Sequence, residues 1–232
     1  MPKASQMASD PNTIDFYYDP ISPYAYLAFH ALPEALQGLS VQVRYRPVLF
    51  GALLKAGGQK GPAEIAGKRE WTYRQVLWQA REMGLAMAMP AAHPFNPLAI
   101  SRAALAASDG SGFTNRWVTQ TVLDHVWQAG QDPLHADRLA ALQTTLQTHR
   151  HKAYPDVAEI SADVVKQLLV SNTDLAMSRG VFGVPTCEWQ GELFWGLDAL
   201  PMLRQAISGD EWFNGPAWRG ARDIPVGIAR KI

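Results

Sequence analysis

Residues 14–27 read Ile14-Asp15-Phe16-Tyr17-Tyr18-Asp19-Pro20-Ile21-Ser22-Pro23-Tyr24-Ala25-Tyr26-Leu27, and the fold turns on them. The first five are β-prone and aromatic-rich and are stopped by Asp19-Pro20, so residues 14–18 are expected as a short buried strand. Ser22-Pro23 follows, a serine suited to an N-cap and a proline suited to the first helical turn. Tyr26, Leu27, Leu32 and Leu36 then recur near helical spacing as far as Gly38. Residues 41–45 alternate Val, Gln, Val, Arg, Tyr ahead of Pro47 and read as the next strand. The opening is β-α-β.

Outward from this unit, residues 49–179 carry helical patterning. Segments 64–83, 97–107, 111–130, 135–149, 161–169 and 172–179 are expected as helices, with Asn96-Pro97 capping the second and Gly130 and Gly180 stopping the third and the last. Strand character returns at residues 186–189 and 193–195 around a Gln190-Gly191 turn, a hairpin signal. A last helix begins near Asp198 and runs through Leu200, Leu203 and Ile207. The order β-α-β, helices, β-β-α predicts an α/β fold: a four-stranded mixed sheet with flanking helices, interrupted by an inserted all-helical domain. We expect residues 14–48 with 181–209 as the sheet domain, 49–180 as the helical insertion and 210–232 as a C-terminal tail.

Composition narrows the function classes. With 47% apolar and 18% charged residues, the chain has material for a sizeable core and lacks the bias of disorder. Lys+Arg and Asp+Glu both number 21, so no basic surplus argues for nucleic acid or an anionic membrane surface. The polar start, MPKASQMASDPNT, lacks the apolar stretch of a secretory signal, and no apolar run is long enough for a spanning helix. The one cysteine, Cys187, excludes an intramolecular disulfide. A cytoplasmic enzyme of small molecules is the expectation.

The strand, turn and helix around Ser22 bring a hydroxyl to a helix N-terminus, where about half a positive charge and unsatisfied N–H groups favour an anion or thiolate. Read from the residues alone, Ser22 is as well explained as a helix cap. Val184-Pro185, between a glycine-bounded helix end and an apolar strand, leaves open a cis bond that presents a backbone edge or an ordinary turn. Lone Cys187 in an apolar strand reads as a small buried hydrophobe. His125, His135, His149 and His151 do not converge on a metal-ligand pattern, and no metal is expected. His93 and Asn96, in a proline-rich stretch between helices, are candidates for a substrate wall, against a satisfied loop histidine and a plain helix cap. Trp195, beside Gly196 and Asp198, could floor an aromatic pocket or pack in the core, and the remaining tryptophans need only packing.

The segments from Asp15 to Leu27 and from Gly180 through Val181-Phe182-Gly183-Val184-Pro185 to Thr186, followed by Phe194-Trp195-Gly196-Leu197-Asp198, resemble the 2-hydroxychromene-2-carboxylate isomerases, relatives of the kappa-class glutathione transferases. The resemblance covers residues 14–207, with the helical insertion in the corresponding place. It implies a thioredoxin-like sheet domain in which Ser22-Pro23-Tyr24-Ala25 stands where redox members carry Cys-x-x-Cys, so dithiol exchange has no thiols to use. It implies glutathione as cofactor, with Ser22 catalytic, donating to the thiolate. Val184, before the presumed cis Pro185, would pair with the cysteinyl backbone, and Asp198 would hold the γ-glutamyl ammonium. Tyr24 and Ala199 enter the same site beside Ser22 and Asp198. In the insertion, Gln59 of Gly57-Gly58-Gln59-Lys60-Gly61-Pro62 and the later Lys68 would complete it, although Gln59 stands where kappa relatives carry Asn. The implied reaction interconverts 2-hydroxychromene-2-carboxylate and trans-o-hydroxybenzylidenepyruvate in a homodimer acting on small aromatic or unsaturated carboxylates. Two other readings stay open: a kappa-like transferase that releases the conjugate, and a peptide-binding scaffold without chemistry.

Overall fold

The computed structural model describes residues 12–228. In chain order the elements are β1 Thr13–Tyr18, α1 Pro23–Ala35, β2 Gln42–Pro47, α2 Phe50–Ala56, α3 Ala66–Glu82, α4 Leu98–Ala106, α5 Arg116–Trp127, α6 Ala136–Ala153, α7 Ala162–Ser178, β3 Thr186–Trp189, β4 Glu192–Trp195, α8 Leu200–Ile207 and α9 Pro216–Gly220, with short 3₁₀ turns between several of them. The strands form one mixed sheet in the order β2-β1-β3-β4. β1 runs parallel to β2, with Phe16 opposite Tyr45, and antiparallel to β3, with Phe16 opposite Cys187. β3 and β4 close the hairpin, Cys187 opposite Phe194. The expected α/β architecture is present, and β2 is an edge strand, which is where Pro47 costs no ladder bond.

All six residues of β1 are buried, because both faces of the sheet are covered. Ile14, Phe16 and Tyr18 join one core with Tyr26, Leu27 and Phe29 of α1, and that cluster continues into Ile100, Val118, Val122, Leu123 and Trp127 of α4 and α5. The opposite face carries charge. Asp15 accepts from Arg44 Nε (2.7 Å) and Nη2 (2.9 Å), Arg46 Nε (2.7 Å) and Arg179 Nη1 (3.2 Å). Asp15 also lies opposite Glu188 in register, two carboxylates that would repel. Arg179, the C-cap of α7, contacts both of them. Phe113 covers the guanidinium groups of Arg44 and Arg46 at 5.8 and 5.4 Å, an arrangement suited to arginine.

Several expectations need correction. Segments 161–169 and 172–179 are one helix, α7. The polar Asn172-Thr173 that reads as a break instead makes tertiary bonds: Asn172 Nδ2 donates to Pro47 O (3.0 Å) and Gly112 O (2.6 Å), and Thr173 Oγ1 accepts from Leu49 N (3.0 Å). Helix α5 starts at Arg116, not near Ser111, because Asn115 caps it and accepts from Val118 N (2.9 Å). The preceding Thr114 bridges to Tyr45 at the sheet edge. Residues 83–97 form an irregular link inside the helical block. Of the tryptophans assigned to packing, Trp71, Trp78, Trp117 and Trp212 are exposed. The described part of the tail folds back on β4, with Phe213 and Trp218 each 6.2 Å from Phe194 between ring centroids. The first eleven residues of the polar leader and the last four of the tail lie outside the described residues.

Substituting Asp15→Ala leaves Arg46, itself 8% exposed, without its carboxylate. The expected cost is about 3 kcal/mol, the lower end for a broken buried pair because Arg44 and Arg179 keep some water. Urea denaturation measures it.

Candidate functional site

Ser22 ends the turn that leaves β1 and caps α1. Its extended backbone (φ −88°, ψ 116°) lets Oγ accept from Ala25 N at 3.2 Å, and the same hydroxyl donates to Val184 O at 3.4 Å across the molecule. Pro23, at the first helical position, has no N–H to satisfy, and the first turn of α1 carries the positive end of the helix dipole. Ser22 is buried, at 6% exposure. The one thiol is elsewhere: Cys187 lies in the core, where burial pushes it up to about 12. A thiol so buried and so raised offers little thiolate as a nucleophile.

The turn from Asp19 to Ser22 is held by hydrogen bonds to its carbonyls, to the N–H groups of Ile21 and Ser22 and to the Asp19 side chain. Ser22 N donates to Asp19 O (2.9 Å). The fully buried Trp127 of α5 donates Nε1–H to Pro20 O (2.9 Å). His93 Nε2 lies 2.8 Å from Ile21 O. Because a carbonyl only accepts, that nitrogen carries the hydrogen. Nδ1 of His93 meets Tyr73 Oη at 2.8 Å, and the same hydroxyl lies 2.9 Å from His93 O. Burial, chiefly, holds His93 below its ordinary value near 6.5, so the ring is neutral at pH 7. The Asp19 carboxylate accepts from Ile21 N (3.0 Å) and Phe50 N (2.9 Å), and burial pushes it up to about 6.

The facing wall comes from residues 182–199. Val184-Pro185 is cis, and Gly196 N donates to Pro185 O at 2.9 Å. Two glycines stand close to side chains here, and Gly196 is fixed by its positive φ. A Cβ on Gly183 would stand 2.8 Å from Nε1 of Trp195, and one on Gly196, at φ +94°, 2.6 Å from Asp198 Oδ1. Trp195 is 53% exposed and stands edge-on to the exposed Phe182 at 5.0 Å between centroids, so it is not a core residue. Asp198 sits in the 3₁₀ turn Leu197–Ala199, which packs on α1 with Ala199 buried. The Tyr24 phenol is raised by burial first and by the Asp198 charge as well. Tyr24 Oη donates to Gln75 Oε1 of α3 at 2.8 Å.

The fold therefore gathers Ser22, Tyr24, Val184, Pro185, Asp198 and Ala199 around one end of α1, with His93 behind the turn. Asn96 is elsewhere engaged: its Oδ1 accepts from Leu98 N (3.1 Å) in the turn before α4, whose N-cap is Pro97 and not the asparagine. Gln59 and Lys68 are exposed. Lys68 shares a face of α3 with Gln75, two turns or about 10.5 Å along the axis, and neither residue touches Ser22 among the described residues. Reading the sequence missed Asp19, Tyr73, Gln75, Trp127 and Phe182. For Trp127 there was a signal: a buried indole needs an acceptor for its N–H.

Comparison with known proteins gives four findings of weight. A family profile described as the DSBA-like thioredoxin domain matches residues 13–208. A 2-hydroxychromene-2-carboxylate isomerase of Pseudomonas sp. (strain C18) is 29% identical over 198 residues, 84% of this chain and 90% of that protein. A human glutathione S-transferase kappa 1 is 23% identical, over 88% of this chain and 94% of its own. Among solved structures, a 2-hydroxychromene-2-carboxylate isomerase superposes with TM-score 0.66 at 23% identity, covering 92% of this chain and all of the other.

Trp127→Phe removes the indole N–H and leaves Pro20 O unpartnered. Chemical denaturation is expected to show a loss of about 1–3 kcal/mol from that carbonyl alone.

Proposed function

We propose that this chain, which belongs to the family of DSBA-like thioredoxin domains, is a glutathione-dependent enzyme interconverting 2-hydroxychromene-2-carboxylate and trans-o-hydroxybenzylidenepyruvate. The observation that carries the reading is Ser22: a buried hydroxyl at the N-terminus of α1, facing the cis Val184-Pro185 edge, in a chain whose only cysteine is inert in the core. The named isomerase and kappa-transferase relatives support both the reaction class and the cofactor.

The residues present fit a tripeptide thiol. Ser22 and the first turn of α1 would receive the sulfur, the backbone of Val184 the cysteinyl main chain, and the exposed Asp198 the γ-glutamyl ammonium. No hydrogen bond or ion pair engages Asp198 among the described residues. Tyr24 and Ala199 would line the same cleft, and Gln59 and Lys68 would reach it from the insertion. Glutathione, when bound, supplies a thiolate that adds reversibly to the conjugated C=C, which makes that bond single and free to rotate before elimination restores the alkene.

Ser22 keeps that sulfur ionised at neutral pH. Its present bond to Val184 O, at 3.4 Å, is at the long limit, so turning the hydroxyl proton to a sulfur gives up little. The positive end of α1 adds to the same stabilisation. Trp195 and Phe182, exposed and edge-on, offer an aromatic surface to a flat substrate. His93 would act through the turn it holds and Asn96 from the far rim. The same reading makes the enzyme cytoplasmic and homodimeric; no helix among the described residues is long and apolar enough to cross a membrane. The kappa relative supports a second reading, conjugation of electrophiles, which a stable S-conjugate in mass spectra would establish.

Ser22→Ala is expected to lower kcat on the order of 10²-fold with glutathione affinity by calorimetry little changed. Full activity in that variant, or turnover without glutathione, would remove the mechanism. Asp198→Asn is expected to weaken glutathione binding about tenfold, the loss of roughly one charge-assisted contact, while kcat at saturation holds.

A further inference from the structure

Asp15 and Asp19 lie four residues apart, each 1% exposed. The first is surrounded by three arginines. The second has no cation beside it among the described residues: its partners are the N–H groups of Ile21 (3.0 Å) and Phe50 (2.9 Å), and none of the described charged side chains shifts it. A carboxylate buried without a counter-ion is costly, and turns are ordinarily capped by Asn or Ser at less expense.

What the carboxylate achieves here is geometric. Oδ1 accepts from Ile21 inside the turn whose last main-chain bond, Ser22 N to Asp19 O (2.9 Å), delivers the serine. Oδ2 accepts from Phe50, the first residue of α2, whose N-cap Leu49 offers no side-chain acceptor. Two N–H donors converge on one side chain. Only a group with two acceptor oxygens and no hydrogen satisfies both; an amide would turn its NH₂ on one of them, and a protonated carboxyl would weaken the same bond.

We infer that the ionised Asp19 carboxylate is a positioning residue: it ties the Ser22 turn to the start of α2 and so fixes the Ser22 hydroxyl at the end of α1. The inference rests on the catalytic reading of Ser22. Activity then needs Asp19 charged, and because burial raises it to about 6, turnover falls as pH drops through that value. Its folded pKa lies above its ordinary 3.8, so its contribution to stability has the opposite sign. That contribution is fully present below 3.8 and is lost as pH rises through about 6. The titratable groups beside the turn are Tyr18, raised to about 12 and neutral throughout, and His93 behind Ile21, which burial lowers.

The test is the pH profile of kcat, with glutathione saturating, for wild type and two variants. Asp19→Asn is expected to lower kcat at pH 8 by about tenfold, to leave glutathione affinity within about twofold, and to lose the acid limb. Phe50→Pro removes one N–H at a helix position where proline is accepted; the carboxylate, with one donor fewer, should carry the limb about one unit higher. This second variant keeps the test decisive if Asp19→Asn does not fold. A wild-type limb unmoved by Phe50→Pro, or full kcat and an unchanged limb in Asp19→Asn, overturns the inference. An impaired Ser22→Ala beside a fully active Asp19→Asn removes the positioning role alone, whereas a fully active Ser22→Ala removes the reading beneath it.

Discussion

A buried turn has to satisfy its own backbone, and in this protein that requirement falls on Asp19 to Ser22. The strand before it is covered on both faces and the helix after it is a core element, so water is not at hand to bond the turn between them. The answer is drawn from across the chain: an indole from α5 for Pro20 O, an imidazole from the 83–97 link for Ile21 O, and the chain's own carboxylate for Ile21 N and Phe50 N. Two of these groups come from the helical stretch between β2 and β3. Its side chains complete the hydrogen bonds of the turn that carries Ser22.

This division explains what could be read in advance. The strand at 13–18, the serine cap and the hairpin at 186–195 rest on local chemistry: β-prone aromatics, an N-cap followed by proline, and a Gln190-Gly191 turn with both residues at positive φ. The places of Ser22, Val184 and Asp198 could be read locally, as a helix cap, an X-Pro step before a strand and an acid at the start of a helix, while the roles expected of them came from the resemblance. The bonds at Trp127, His93 and Asn172 were not, since their partners lie 107, 72 and up to 125 residues away. A polar residue within a helical pattern reads locally as a stop; Asn172 is instead a tertiary clamp, with two backbone carbonyls as its acceptors. Exposure turned on the phase of the helix: Trp71 and Trp78, seven residues apart, share the outward face of α3, while the buried Thr72, Val76 and Ala80, four apart, share the inward one.

The two buried aspartates of the 13–19 segment show how one strand can serve stability and function by different chemistry. Asp15 points to the sheet face where Arg44, Arg46 and Arg179 converge, and its charge is matched. That arrangement locks β2 and the end of α7 to β1, and a carboxylate so paired is a structural fixture. Asp19, at the end of the same strand, has N–H donors in place of cations. The difference in environment is what leaves its charge marginal near neutrality.

A residue retained for folding alone would gain from being neutral in such a place. Asp19 instead joins the turn of Ser22 to the N-terminus of α2, and the bond pattern there calls for two acceptors on one side chain. Stability favours the protonated acid, while geometry favours the anion. A site whose local demand runs against the stability of the whole is the pattern expected where a protein keeps strain for function. The same logic applies to Ser22 itself: its long bond to Val184 O is a weak contact in an otherwise tightly bonded turn, and the weakness lies at the hydroxyl that the proposed mechanism asks to turn to a sulfur.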